Sequence, residues 1–226
     1  MTWKILPYEQ DKNMVNLPTA SILNGAWHDN FRGYLDNILF DKIDSSKRFI
    51  DGGASYGWFM PVFYDFCDKI ECFEIRKDVF ECLSENIANY GYGVDVTAHN
   101  IGLSSYIGTA YHDDGERSHL GVPKNWTGAT KLTMNGSHTE CQVTTLDSFE
   151  FDDVELIKLD VEGHEYEALK GSQETITSCR PICIVELYPM TASTIRQDVF
   201  KFFDKNNYKV FDLRRHDVIF LPEERI

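Results

Sequence analysis

Basic residues are scarce in this sequence. Its 22 Lys and Arg stand against 36 Asp and Glu, a formal charge of −14, and the pI is near 4.8. Nucleic-acid binding draws much of its affinity from Lys and Arg that displace phosphate counterions. No basic stripe runs along this chain, so a nucleic-acid partner is not expected. Long apolar runs are missing as well: no stretch approaches the roughly 20 residues of a spanning helix, and no membrane association is expected. The opening MTWKILPYEQDKN lacks a signal peptide's pattern, which makes the cytoplasm the expected location. The six cysteines, Cys67, Cys72, Cys82, Cys141, Cys179 and Cys183, contain no CxxC pair. They read as reduced thiols, mostly in the core. The sequons Asn125-Trp126-Thr127 and Asn135-Gly136-Ser137 are then coincidental. Repeats and low-complexity segments are absent, and nothing indicates an oligomeric state.

What is present is an ordinary globular composition, 42% hydrophobic and 26% charged over 226 residues, enough for one sizeable core. Residues 1–45 read as an N-terminal extension, polar at first and then helical over Phe31–Ile43, that covers the site. From residue 46 onward strand and helix signals alternate. Strands are expected at Lys47–Asp51, Lys69–Phe73, Val94–Ala98, Val154–Leu159 and Pro181–Leu187, with a closing hairpin over Tyr208–Leu213 and Val218–Leu221. Helices are expected at Trp58–Phe66, Lys77–Tyr90, Glu165–Thr177 and Thr194–Asn206. Such alternation predicts an α/β fold: a Rossmann-like, mostly parallel sheet with helices on both faces and an antiparallel C-terminal hairpin. Ligands of such sheets sit beyond the carboxyl ends of the strands, where the strand order reverses. The stretch 104–142 breaks the rhythm. It holds strand signals near Gly108–His112 and Cys141–Thr144 and reads as an insertion over the substrate. His112, Asp113, Asp114 and His119 would lie in that lid or in a solvated loop.

Three constellations carry chemistry. In FIDGGASYGWF, Asp51 closes a strand, and Gly52, Gly53, Ala54 and Gly57 form the turn into a helix. Glycine there lets the backbone approach a ligand, and the helix start offers N–H groups. The dinucleotide fingerprint G-x-G-x-x-G is not supplied, which counts against a nucleotide-cofactor oxidoreductase. In IECFEIRKDVF, Glu74 ends the next strand 23 residues after Asp51 (74 − 51), where an acid can accept both hydroxyls of a ribose. Capping the following helix is its bland alternative. Asn100, after the third strand, is placed to meet an adenine edge or to serve a turn.

The third is TTLDSFEFDDVELIKLDVEGHEYEALKG. Thr145-Leu146-Asp147, Ile157 to Gly163, Glu165 and Leu169-Lys170-Gly171 closely resemble the signature of FkbM-type methyltransferases. With FIDGGASYG, the acid in CFEIR, Arg180-Pro181, Glu186 and the terminal hairpin, the resemblance covers about residues 46–221. Ile75 departs from it, standing where the family commonly has Pro. The resemblance implies a Rossmann-like methyltransferase domain over 46–226, S-adenosylmethionine as methyl donor with S-adenosylhomocysteine as product, and a hydroxyl oxygen as acceptor. Sugars, glycans and polyketides are the acceptor classes it suggests. A sugar or glycan is the expected one, with a polyketide or other small molecule, or a non-catalytic binding subunit, as alternatives.

Charge at the end of an apolar strand then has a use. Lys158 and Asp160 point to one face, and carboxylates there can hold a sulfonium cofactor and take a hydroxyl proton. Asp160, Glu162 and Glu186 are the candidate catalytic group, with His164 and Glu165 on the same turn. Lys158 is alternatively a buried partner of Asp160 or Glu186, and Glu162 and Glu165 could merely complement a helix dipole. Asp160 and Glu186 also stand where catechol-type methyltransferases keep Mg²⁺ ligands, so a divalent metal is compatible with this reading but not required by it.

Overall fold

The computed structural model describes residues 42–64, 66–90, 94–112, 132–133, 139–187, 193–214 and 216–226. Within them the strands fall where side chains alternate or run continuously apolar: Arg48–Gly52 (β1), Lys69–Phe73 (β2) and Asp95–His99 (β3). Among the described residues five helices flank or follow the strands, beginning with the short Met60–Phe63 (α1) and the longer Lys77–Tyr90 (α2). Two-residue Gly102–Leu103 (β4), Gly108–His112 (β5), Leu132–Thr133 (β6) and Thr139–Thr144 (β7) come next. Val154–Leu159 (β8), Glu165–Lys170 (α3), Gln173–Cys179 (α4), Ile182–Glu186 (β9), Ser193–Lys205 (α5), Tyr208–Arg214 (β10) and Asp217–Pro222 (β11) complete the order.

The main sheet runs β10-β11-β9-β8-β1-β2-β3. Its five strands from β9 to β3 are parallel, while β11 is antiparallel to β9 and to β10. The expected terminal hairpin is therefore present, with its second strand on the inside. Every residue of β8 is buried, as a strand covered on both faces must be. The chain goes from β1 outward through β2 and β3, then returns to the other side of β1 with β8. The order thus reverses between β1 and β8, which opens a crevice at their carboxyl ends.

Two apolar layers close on the sheet. Phe49, Ile70, Leu156, Ile184 and Ile219 face Met60, Phe63 and Leu83. On the opposite side Ile50, Ile157, Val185 and Phe220 face Leu169, Ile176, Val199 and Phe203. None of the six cysteines forms a disulfide, and all but Cys179 are buried. Among the described residues, no helix is long and apolar enough to cross a membrane.

Two expectations change. The helix expected over Glu165–Thr177 is two helices, broken at Gly171-Ser172. A Cβ at Gly171 would lie 1.9 Å from the Ser104 carbonyl oxygen, so a distant segment seats itself where the helix would have continued. Asp147 then restarts the helix: its carboxylate accepts the N–H groups of Glu174 at 3.0 Å and Thr175 at 2.9 Å, an N-terminal cap. The Asp of T-L-D and the Gly of L-K-G are thereby explained structurally. Second, part of 104–142 builds a small sheet of its own, β4-β7-β5-β6, in which His112 is buried. Residues 1–41, with most of the expected N-terminal helix, lie outside the described residues, as do Asp113, Asp114, His119 and both sequons.

Candidate functional site

The glycine turn leaves β1 with φ +81° at Gly53 and +87° at Gly57, values that favour glycine. The N–H groups of Gly53 and Ala54 both donate to the Phe73 carbonyl at 3.0 Å, which ties the turn to β2. At Gly53 a Cβ would fall 1.9 Å from the Asp160 carbonyl oxygen. The turn therefore rests directly on the end of β8. Gly53→Ala should lower the affinity for S-adenosylmethionine at least tenfold, because turn and strand must separate and the positive φ adds strain. Calorimetric titration checks this; unchanged affinity would remove the turn from the cofactor site.

Glu74 is buried, and burial pushes its carboxyl up to about 7 against the backbone hydrogen bonds that favour the anion. Those bonds come from the N–H of Ser55 at 2.9 Å and of Arg76 at 2.8 Å. Glu74 thus anchors the glycine turn from β2, and each oxygen retains a second lone pair for a ribose hydroxyl. The side-chain nitrogen of Asn100 donates to the carbonyls of Glu74 at 2.8 Å and Ile75 at 3.2 Å. Its amide nitrogen is committed to the backbone, so toward an adenine amino group it offers its oxygen. Ile75 packs its side chain against Gly102, where a Cβ would come within 2.4 Å, an apolar contact for the residue that departs from the family pattern.

Strand register gathers the remaining acids. Asp51 pairs with Lys158, Lys158 with Ile184, and Glu186 with Asp217. Paired residues share a face, as do residues two apart, so Asp51, Lys158, Asp160, Glu186 and Asp217 project from one face at the carboxyl rim. Asp51 is fully buried, and neither carboxylate oxygen has a hydrogen-bond partner. Burial raises it to about 6, with Lys158 opposing and Asp160 adding to the shift.

Lys158 is the counter-ion of the row. Its ammonium lies 3.0 Å from Asp160 Oδ2 and 3.8 Å from the centre of the Phe59 ring, a seat for a buried cation. Burial alone would lower its pKa, but Asp160, Asp51, Asp217 and Glu186 together raise it. Burial would raise Asp160, yet Lys158 and a hydrogen bond from Glu186 hold it below the usual range. Burial, the Asp160 charge and that hydrogen bond hold Glu186 well above its usual range. The two carboxyls thus titrate as a pair, with the Lys158 charge favouring the anion at Asp160 and burial disfavouring a second anion at Glu186.

Glu162 joins them from a left-handed backbone, φ +55°, followed by Gly163 at +97°. One oxygen each of Asp160, Glu162 and Glu186 fall within 4.8 Å of one another. Three carboxylates at this spacing resemble a donor set for Mg²⁺. Lys158 already engages Asp160, so a dication would compete with that ammonium for the carboxylate.

The turn's other two polar residues serve structure. Glu165 accepts the Gly163 N–H at 2.9 Å through Oε1, and burial raises its pKa. His164 Nε2 lies 3.0 Å from Ser104 Oγ, and burial lowers its pKa. The structure brings together Asp51, Gly53, Asp160, Glu162 and Glu186, with Glu74 holding the turn from β2 and Asn100 behind it. Asp217 and Ser104 escaped sequence reasoning. Asp217 opens an apolar strand, and only its pairing with β9 sets it beside Glu186.

The S-adenosylmethionine expected from the sequence fits this arrangement: an unpartnered buried carboxylate, a turn with no room for Cβ atoms, and more acids than Lys158 neutralises. A family model described as a methyltransferase FkbM domain matches residues 51–210. No curated protein matches. Among solved structures, a methyltransferase FkbM from Methylobacillus flagellatus KT aligns with TM-score 0.54 and 17% identity, covering 90% of this chain and 53% of that one. This chain thus spans about half the length of that relative. A magnesium protoporphyrin IX methyltransferase from Synechocystis PCC 6803, solved with bound SAM, aligns with TM-score 0.52 and 12% identity, covering 95% of this chain and 87% of that one. At such identities the likeness is one of fold.

Proposed function

The chain belongs to the FkbM methyltransferase family, and from that premise we propose that it methylates a hydroxyl oxygen of a sugar or glycan. S-adenosylmethionine, when bound, supplies a methyl group on a sulfonium, an electrophile that needs no further activation. The residues around it do the rest. Asp51 receives the cofactor's ammonium, Glu74 its ribose hydroxyls and Asn100 its adenine amino group. Gly52, Gly53, Ala54 and Gly57 let the backbone come close.

The acceptor's proton needs a base. Asp160 is held low by Lys158, a weak base, and Glu186 is held high by burial and by the Asp160 charge beside it. We therefore assign the acceptor's proton to Glu162, with Asp160 and Glu186 keeping the field around it negative. Most of the rate would come from holding the hydroxyl in line with the methyl.

The observation that supports this reading is the row of acids around one buried lysine at the rim where strand order reverses. Carboxylates suit vicinal hydroxyls, and a surface of net charge −14 favours a neutral or cationic acceptor over an anionic one. The test is transfer of a tritiated methyl group from S-adenosylmethionine to a panel of mono- and oligosaccharides, with and without EDTA. Label on a sugar supports the reading. Label on a polyketide or peptide and on no sugar would overturn the acceptor, and a loss with EDTA would assign the acids to a metal.

A further inference from the structure

Ser104 extends β4, donating its N–H to the Thr144 carbonyl at 2.8 Å, and it is 1% exposed. Its contacts run along α3. Its Oγ meets His164 Nε2 at 3.0 Å, and its carbonyl packs on Gly171. The next residue, Ser105, donates through Oγ to Glu167 Oε2 at 2.5 Å. The small sheet therefore grips α3 at its start, its middle and its end.

His164 directly follows the two left-handed residues, Glu162 and Gly163. A non-glycine residue in that region costs about 1 kcal/mol or more and persists only when its surroundings over-determine it. The turn closes on itself through the His164 N–H, which donates to the Val161 carbonyl at 3.3 Å, and further ties hold it to its surroundings. Asp160 donates its N–H to the Gly52 carbonyl at 2.9 Å, Gly163 donates its N–H to Glu165 at 2.9 Å, and the His164 ring meets Ser104. The first two come from the main sheet and from α3. The third reaches in from the small sheet.

We propose that Ser104 is a positioning residue for methyl transfer: through His164 it holds the left-handed Glu162, and so fixes that carboxylate beside the transferring methyl. The proposal rests on the assignment of Glu162 to the carboxylate cluster. Without the Ser104 hydroxyl the His164 ring loses its buried partner, and the turn can relax toward negative φ. The Glu162 carboxylate would then swing out of the cluster while the glycine turn and Asp51 stay in place.

Sinefungin tests this without an acceptor, because it carries an amine where S-adenosylmethionine carries its methyl. S-adenosylhomocysteine has no group there. Both are titrated calorimetrically into the full chain, as wild type, Ser104→Ala, Ser104→Thr, Glu162→Gln and the Ser104→Ala/Glu162→Gln double variant. A charge-assisted hydrogen bond is at stake, so the wild type should prefer sinefungin about tenfold or more. Ser104→Ala should remove that preference with S-adenosylhomocysteine affinity within about twofold of wild type. Ser104→Thr, which keeps a hydroxyl, should retain it, and the double variant should lose no more than Glu162→Gln does.

Equal losses for both ligands in Ser104→Ala would show a merely structural role and overturn the proposal, as would additive losses in the double variant. If Glu162→Gln loses the preference and Ser104→Ala keeps it, the Ser104 role alone falls. If Glu162→Gln keeps it, the cluster assignment falls and Ser104 with it. A wild type that binds neither ligand sinks the cofactor reading itself, and this proposal follows.

Discussion

Asp51→Asn sharply weakens binding of S-adenosylmethionine and, in the ligand-free protein at pH 8, raises Tm. Both outcomes come from one carboxylate that is fully buried with no hydrogen-bond partner. Its pKa stands at about 6, against 3.8 for an ordinary Asp, chiefly through burial. A folded-state value above the unfolded one means the folded protein resists ionisation. Below pH 4 the group is protonated in both states and costs nothing. As pH rises from about 4 through 6 the cost grows, and above it the ionised carboxylate destabilises the fold by about 3 kcal/mol. Asn has the same shape and no charge. It should raise Tm at pH 8 by roughly 5 to 10 °C for a chain of this size, with the gain shrinking toward pH 4. The ammonium's partner is then gone, and affinity should fall by about two orders of magnitude or more. Thermal denaturation at several pH values and calorimetry read the two effects separately. A variant that is less stable at pH 8, or that binds as tightly as wild type, would refute the role given to Asp51.

Lys158→Met should unfold the protein more readily than any single change at the rim. The lysine is buried and touches Asp160 at 3.0 Å, while Asp51, Asp217 and Glu186 add to its field. Removing one partner of a buried ion pair leaves the other uncompensated, a loss of about 3 to 5 kcal/mol. At pH 7 that is a fall in Tm of roughly 10 °C or more. The deficit relative to wild type should narrow toward pH 5. Without Lys158 the Asp160 pKa is no longer held low, so Asp160 takes up a proton there and the repulsion among the acids is relieved. Lys158→Met/Asp160→Asn should recover part of the loss even at pH 7. A variant as stable as wild type at pH 7 would mean that the acids are not ionised together, and the charge-balanced row would have to be abandoned.

Much of this site could be read before the fold was seen. Asp51, the glycines and Glu74 announced themselves because strand ends and turns are local in sequence, and the alternation of Lys158 with Leu159 gave the side on which Asp160 stands. Glu74 was legible as a strand-end acid, but its grip on Ser55 and Arg76 was not, since backbone N–H groups leave no trace in residue type. Asn100 was legible as a turn residue, and its commitment to the Glu74 and Ile75 carbonyls appears only with the chain folded back on itself.

Local periodicity was sufficient for the elements. The strands Lys69–Phe73 and Val154–Leu159 and the helix Lys77–Tyr90 were legible from residues a few positions apart, because burial on one or two faces imprints a period of 2 or 3.6 on the chain. Pairing was decided elsewhere. Asp217 belongs to the site because β11 lies antiparallel to β9, and helix α3 stops because a carbonyl at Ser104, 67 residues earlier (171 − 104), occupies the space over Gly171. Such contacts join residues whose chemistry is independent of their distance along the chain, so composition and spacing carry no record of them. Steric exclusion and shared charge enter only when strands and helices are packed, and here they select which acids share Lys158 and which backbone holds Glu162.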